Sequence, residues 1–199
     1  MQRLMIVSCL WLLALPSGLE GQFSMKPRPL PAARTFLVPE IGYGFRVNEY
    51  GANTFNLKRR HYFISEIALM ANTGASFAVG PGTFIGMDEG GEFRAGIKLH
   101  VQRWLTPTVS VDVAPGVLFA DSRGRVEMPG FMASSTLRVT EWVGLTSQFE
   151  ISRPGSDRST DYAFYLGAKL GSVPALIANA LGAVVAVVGG VLILTGTEG

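Results

Sequence analysis

The sequence predicts an all-β chain: an eight-stranded antiparallel up-and-down transmembrane β-barrel over residues 35–171, followed by a C-terminal hydrophobic helix. Three observations predict it. Between Thr35 and Gly171 apolar and polar residues alternate with period two, the pattern of strands whose two faces meet different surroundings. Tight connections alternate with long ones, as in a meander with all its short turns at one end. Most segments run about ten to twelve residues, against the roughly 9–11 that a tilted strand needs to cross hydrocarbon.

The N-terminal end does not belong to the barrel. Residues 1–21 read as a secretory signal peptide, with Arg3 as the positive start, an apolar run from Leu4 to Leu15, and Gly18 and Gly21 as small residues for cleavage. Ile6-Val7-Ser8-Cys9 looks like a lipid-attachment site, but acylation there would discard most of the export signal. Cys9 is the single cysteine and leaves with this segment, so neither a disulfide framework nor a thiolate metal site is expected. Residues 22–34 form a Pro-rich periplasmic lead-in, where Pro27, Pro29 and Pro31 alternate with Lys26 and Arg28. That composition favours extended backbone and offers nothing for a core. Net charge is +2 and charged residues make up 16% of the chain, below the roughly 25% of soluble domains, which argues for a lipid-facing surface and against a nucleic-acid partner.

The first strand sets Leu37, Ile41, Tyr43, Phe45 and Val47 against Glu40, Gly42, Gly44 and Arg46. In the second, His61 to Asn72, Glu66 reaches the polar face only if Ile64 and Met70 go with it. The third, Ser76 to Gly86, is interrupted by Pro81. Its glycines lack the lysine and following helix of a phosphate loop, so a bulge or kink is expected. The fourth is the clearest, with Phe93, Ala95, Ile97, Leu99 and Val101 opposed to Arg94, Gly96, Lys98, His100 and Gln102. Next, Val109, Val111, Val113, Val117 and Phe119 oppose Ser110, Asp112, Ala114 and Gly116. The sixth and seventh set Phe131, Ala133, Leu137 and Val139, then Val143, Leu145, Phe149 and Ile151, against Ser134, Thr136, Arg138, Gly144, Thr146, Gln148 and Glu150. In the eighth, Tyr162, Phe164, Leu166, Ala168 and Leu170 face away from Ala163, Gly167 and Lys169. Tight turns fall at Asn72-Thr73-Gly74, Leu105-Thr106-Pro107 and Glu141-Trp142, and long Gly-, Asp-, Asn- and Ser-rich connections between the other strand pairs.

Alternation alone does not say which face points outward. The polar face is rich in glycine, which a narrow filled lumen needs and a wetted surface does not. Aromatic residues also collect at the strand ends of the apolar face, as expected of girdles at two membrane interfaces: Phe45, Phe63, Phe93, Phe119, Phe131, Phe149 and Tyr162 at the long-loop end, and Phe36, Trp104 and Trp142 at the short-turn end. An open sheet edge in lipid would leave N–H and C=O groups unsatisfied, so the first and last strands must pair. With this pattern and the phrase Leu137-Arg-Val-Thr-Glu-Trp-Val-Gly-Leu145, a strand, tight aromatic turn and strand, the chain resembles the small bacterial outer-membrane barrels of the OmpA and OmpX kind. The resemblance covers about Thr35 to Gly171 and implies residence in the bacterial outer membrane with lipid as partner. Such barrels end on a terminal aromatic residue, whereas here residues 172–199 follow.

Charge on the lumen face predicts one paired network of Glu40, Arg46, Glu66, Arg94, Lys98, His100, Asp112, Arg138, Glu150 and Lys169, because an unpaired buried charge costs several kcal/mol. No catalytic, cofactor-binding or metal motif is recognisable. His61 with Ser65 invites comparison with outer-membrane lipid A deacylases, but sequence spacing carries no triad geometry. The segment from Val173 to Leu194 is apolar except for Asn179 and matches the roughly 20 residues of a membrane-spanning helix. Three readings follow: a structural or surface-interacting outer-membrane barrel, with a possible protein partner at the tail or outer loops; a periplasmic β-domain on a single-pass anchor; and a lipid-modifying enzyme. The second lacks the Lys or Arg that would hold a cytoplasmic end after residue 194.

Overall fold

The computed structural model describes residues 23–24, 27–32, 34–48, 61–88, 93–121, 130–152, 161–175 and 177. The expected signal peptide over residues 1–21, the long connections and most of the tail lie outside the described residues.

Among the described residues, nine strands form one sheet. A two-residue strand, β1 (Phe23–Ser24), precedes β2 (Thr35–Arg46), β3 (His61–Asn72), β4 (Phe77–Asp88), β5 (Phe93–Trp104), β6 (Ser110–Asp121), β7 (Gly130–Arg138), β8 (Val143–Ser152) and β9 (Asp161–Gly171). From β2 to β9 each strand pairs antiparallel with the next, and β2 pairs with β9, closing an eight-stranded barrel. Closure removes the edges that an open sheet would expose.

Three hairpins at one end are tight, with Thr73 donating to Phe77, Leu105 to Val109 and Val139 to Val143. Pro81 does not end its strand. It faces outward opposite Leu99, and the β3–β4 ladder lapses between the pairs Ala68–Gly82 and Ala71–Val79, beside a proline that has no N–H to donate. A register shift in β5–β6, where Ala95 pairs with Ala120 and Gly96 with Leu118, makes Phe119 a bulged residue.

The barrel is inside-out relative to a soluble one. Leu99 is 50% exposed on the outer face, whereas its neighbour Lys98 is 3% exposed in the lumen. The same inversion runs round the cylinder, because Phe45, Phe63, Ile85, Phe93, Val113, Phe131, Leu145 and Tyr162 are exposed while Glu40, Glu66, Asp112, Arg138 and Glu150 are buried. Ile64 and Met70 are inside with Glu66, as alternation requires.

Two features differ from the sequence expectation. Phe36 and Trp104 do not belong to the outer girdle: both are buried inside, Trp104 at 7% exposure, with ring centroids 6.1 Å apart. The reason is parity, because Trp104 shares the face of Lys98, His100 and Gln102, and its indole N–H finds Asn72 Oδ1 at 3.1 Å. Trp142, in a turn, is exposed. The lead-in also docks, contrary to its composition. Pro27 is buried, Arg28 pairs with Glu141 at 3.1 Å, and Asn72 Nδ2 donates to the Arg28 carbonyl at 2.7 Å. An unpaired strand end explains it: β9 stops opposite Glu40, leaving Thr35–Pro39 beyond its reach, and β1 pairs in parallel with Thr35 and Phe36 there.

Candidate functional site in the barrel lumen

The lumen is filled in three layers. At the short-turn end Phe36, Val38, Ala68, Met70, Ala78 and Trp104 form an apolar cluster. Toward the long-loop end Tyr62, Ile64, Phe84, Leu118, Met132, Ala163 and Tyr165 form another. Between them lies most of the main ionic network, whose Arg138 also reaches a pocket at the short-turn mouth.

The network centres on two carboxylates from adjacent strands. Glu66 Oε2 accepts from Lys98 Nζ at 2.8 Å and from Lys169 Nζ at 2.9 Å, and its Oε1 lies 2.7 Å from His100 Nε2. Glu40 Oε1 accepts from Arg138 Nε at 2.9 Å and Nη2 at 2.7 Å, while its Oε2 takes Lys169 at 2.9 Å. Lys169 therefore bridges the two glutamates. His100 Nδ1 stands 2.9 Å from Asp112 Oδ2, an oxygen that also faces Arg138 at 3.6 Å. Neutral partners extend the set: Arg138 Nη1 donates to Gln102 Oε1 at 3.1 Å, and the Gln102 amide to Ser110 Oγ at 3.0 Å. Arg94 pairs with Glu150 in a smaller group that includes Gln148, whose Nε2 donates to Glu150 Oε1 at 2.7 Å.

Four carboxylates thus face four permanent cations and one histidine among the described buried residues. Desolvating each ion costs several kcal/mol, and a pair offsets that cost only when partners are close and hydrogen-bonded, as they are here. The larger consequence is register. A one-residue slip of β5 would turn Lys98 and His100 toward the apolar outer surface, which the pairing forbids.

Nine of the ten predicted network residues are buried in the lumen. The tenth, Arg46, is at the long-loop rim, half-buried, donating to the Tyr162 carbonyl at 2.8 Å and to Asn48. Of the predicted interface aromatics, Phe45, Phe63, Phe93, Phe119, Phe131, Trp142 and Tyr162 are exposed outside, Phe149 is half-buried against Tyr162 at 6.5 Å, and Trp104 is the one placed inside. His61 and Ser65 do not meet. They share the outer face of β3 four residues apart, roughly 13 Å along a strand rising about 3.3 Å per residue, and the partner of His61 Nδ1 is the Tyr43 hydroxyl, with the two rings stacked. Gln102, Ser134, Thr136 and Gln148 were legible as polar-face residues; the two apolar layers were not, because Ile64, Met70, Phe36 and Trp104 break the rule that lumen residues are polar.

At the short-turn mouth a pocket of about 220 Å³ is lined by Pro27, Arg28, Trp104, Arg138, Glu141 and Trp142, among others. Among the described residues no group of His, Cys, Asp and Glu is placed to hold a metal ion.

No protein-family profile matches the chain, and no curated protein matches it in sequence. Among solved structures it is similar to a de novo designed transmembrane β-barrel, at 13% identity and a TM-score of 0.40, covering 73% of this chain and 98% of that one. A second designed protein, TMB2.3, matches at 16% identity and 0.37 over 68% of this chain and 91% of its own. The Yersinia pestis outer membrane protein Ail, solved in a phospholipid bilayer nanodisc, matches at 12% identity and 0.37 over 67% of this chain and 98% of its own. The fold is thus an eight-stranded, all-antiparallel closed barrel of the transmembrane type, established by the chain's own inner and outer surfaces.

Proposed function

We propose that this protein is an integral β-barrel of the bacterial outer membrane with a structural or surface-interaction role. The observation that carries the reading is the inversion at Lys98 and Leu99, repeated on every barrel strand but β4, whose inner face is glycine, alanine and phenylalanine, because an outer surface this apolar is stable against acyl chains and not against water. It also speaks against a periplasmic β-domain on a single-pass anchor, whose outer face would be wetted. Membrane lipid is the first partner, and protein contact falls to the outer loops or the tail. A role without catalysis predicts that alanine at His61 and Ser65 will leave lipid A mass spectra unchanged, and an altered spectrum would overturn it.

Membrane fractionation followed by gel electrophoresis with and without boiling tests the reading. We expect recovery with the outer membrane and a heat-dependent mobility shift. Recovery with the inner membrane and no shift defeats the proposal.

A further inference from the structure

Outward residues of the described strands are exposed or half-buried round the barrel, with one exception at the short-turn half of β2: Pro39 is buried, and its neighbours Leu37 and Ile41, with Ser65 and Ile67 on β3, are half-buried. The chain leaves the barrel at this spot. β9 ends at Gly171, paired with Glu40; Ser172 then adopts a left-handed φ of 55° and donates Oγ to the Glu141 carbonyl at 3.0 Å, and a helical turn follows over residues 172–175. That turn already has two sides. Ser172 and Ala175 are 1% and 0% exposed, whereas Val173 and Ile177 are 45% and 55% exposed.

Extending the turn at 3.6 residues per turn sorts the rest of the tail onto the same two sides. On that helical period Asn179, Gly182, Ala186 and Gly190 share the angular position of Ser172 and Ala175, and Leu181, Val184, Val188 and Val191 that of Val173 and Ile177. Small residues thus predominate on the side of Ser172 and Ala175, where Ile193 is the bulky exception, and bulky ones on the other, where Ala180 is the small one. In lipid that segregation is informative, because small residues let a helix approach its neighbour closely while bulky apolar ones face acyl chains. The apolar stretch from Val173 to Leu194 is, at 1.5 Å per residue, about 33 Å long, enough to recross the hydrocarbon layer.

We propose that the tail, residues 178–194, re-enters the membrane as a helix packed on the outer face of β2 and β3, with Asn179 and Gly182 against the barrel. The occupant of this covered face is the chain's own C-terminal segment. The proposal rests on the membrane-barrel reading.

Disulfide cross-linking of the full-length chain in native outer membranes tests it, in a Cys9→Ser background. Ile41→Cys combined with Asn179→Cys, or with Gly182→Cys where the first pair perturbs folding, should cross-link within one chain on mild oxidation. Val113→Cys on β6, across the barrel, combined with the same tail positions should yield at least tenfold less. Cross-linking at Ile41 no greater than at Val113, in a barrel that keeps its heat-dependent mobility shift, overturns the docking and leaves the barrel standing. Cross-linking only between chains overturns it in favour of a second copy. Loss of the mobility shift in the Cys9→Ser parent overturns the membrane reading itself.

Discussion

Leu99 is exposed midway along β5, which the proposed membrane setting puts near the hydrocarbon midplane. An arginine there costs roughly 2–4 kcal/mol. The Leu99→Arg variant should lower the urea midpoint in lipid vesicles accordingly, whereas Ala95→Arg, nearer the long-loop interface, should cost less because the penalty falls with distance from the midplane. Equal loss at both positions would contradict the depth assigned to β5. Inside, the Arg94–Glu150 pair offers a different test. Glu150→Leu takes the carboxylate away from a buried guanidinium and should cost about 3–5 kcal/mol, while adding Arg94→Met should restore most of it, because removing both charges also removes both desolvation penalties. Tryptophan fluorescence during urea unfolding reads both. Additive losses in the double variant would mean that the two residues do not act as a pair.

Between strands, closure depends on one close approach. Gly167 lies opposite Gly44 where β9 meets β2, and a Cβ there would collide with the Tyr43 carbonyl. Gly167→Ala should therefore destabilise the barrel by about 1–3 kcal/mol, the usual cost of overpacking. Gly74 in the β3–β4 turn has open space around it, so Gly74→Ala should be nearly neutral. Heat-dependent mobility as a function of temperature compares the two, and equal midpoints would show that the seam tolerates a side chain. The lead-in presents a subtler balance. The Arg28–Glu141 pair is partly open to solvent, so its ionic contribution is about 1 kcal/mol at most, and it orients Pro27 and Arg28 more than it binds them.

Across the whole molecule, the main network of buried charge lies between two apolar layers, with Phe36, Met70 and Trp104 below and Tyr62, Phe84, Met132 and Tyr165 above, and the Arg94–Glu150 pair sits at the level of the upper one. An ion entering the lumen would have to displace a packed layer and then break pairs whose partners it could not replace. Purified protein in planar bilayers should therefore show no steady single-channel conductance; regular steps of conductance would mean that the layers open. Trimming one layer, as in Trp104→Ala, should destabilise the barrel by about 3–5 kcal/mol before it opens a path, since the indole is both packed and hydrogen-bonded.

The sequence by itself determined the eight strands, their order, the end that carries the tight turns and the face that carries the charges, because alternation and turn chemistry are local properties of consecutive residues. Of the ten charged or titratable residues it placed in the lumen, nine are there and Arg46 is at the rim, since parity along a strand needs no knowledge of its neighbours. Only the tertiary structure decided which acid meets which base, because Glu40 and Arg138, or Glu66 and Lys169, are brought together across the lumen by closure and stagger. The same stagger leaves Thr35–Pro39 beyond the end of β9, which draws a proline-rich lead-in into an ordered dock and sets the start of an apolar tail beside the wall of the barrel. Shear between distant strands has no signature in the spacing of residues along any one of them.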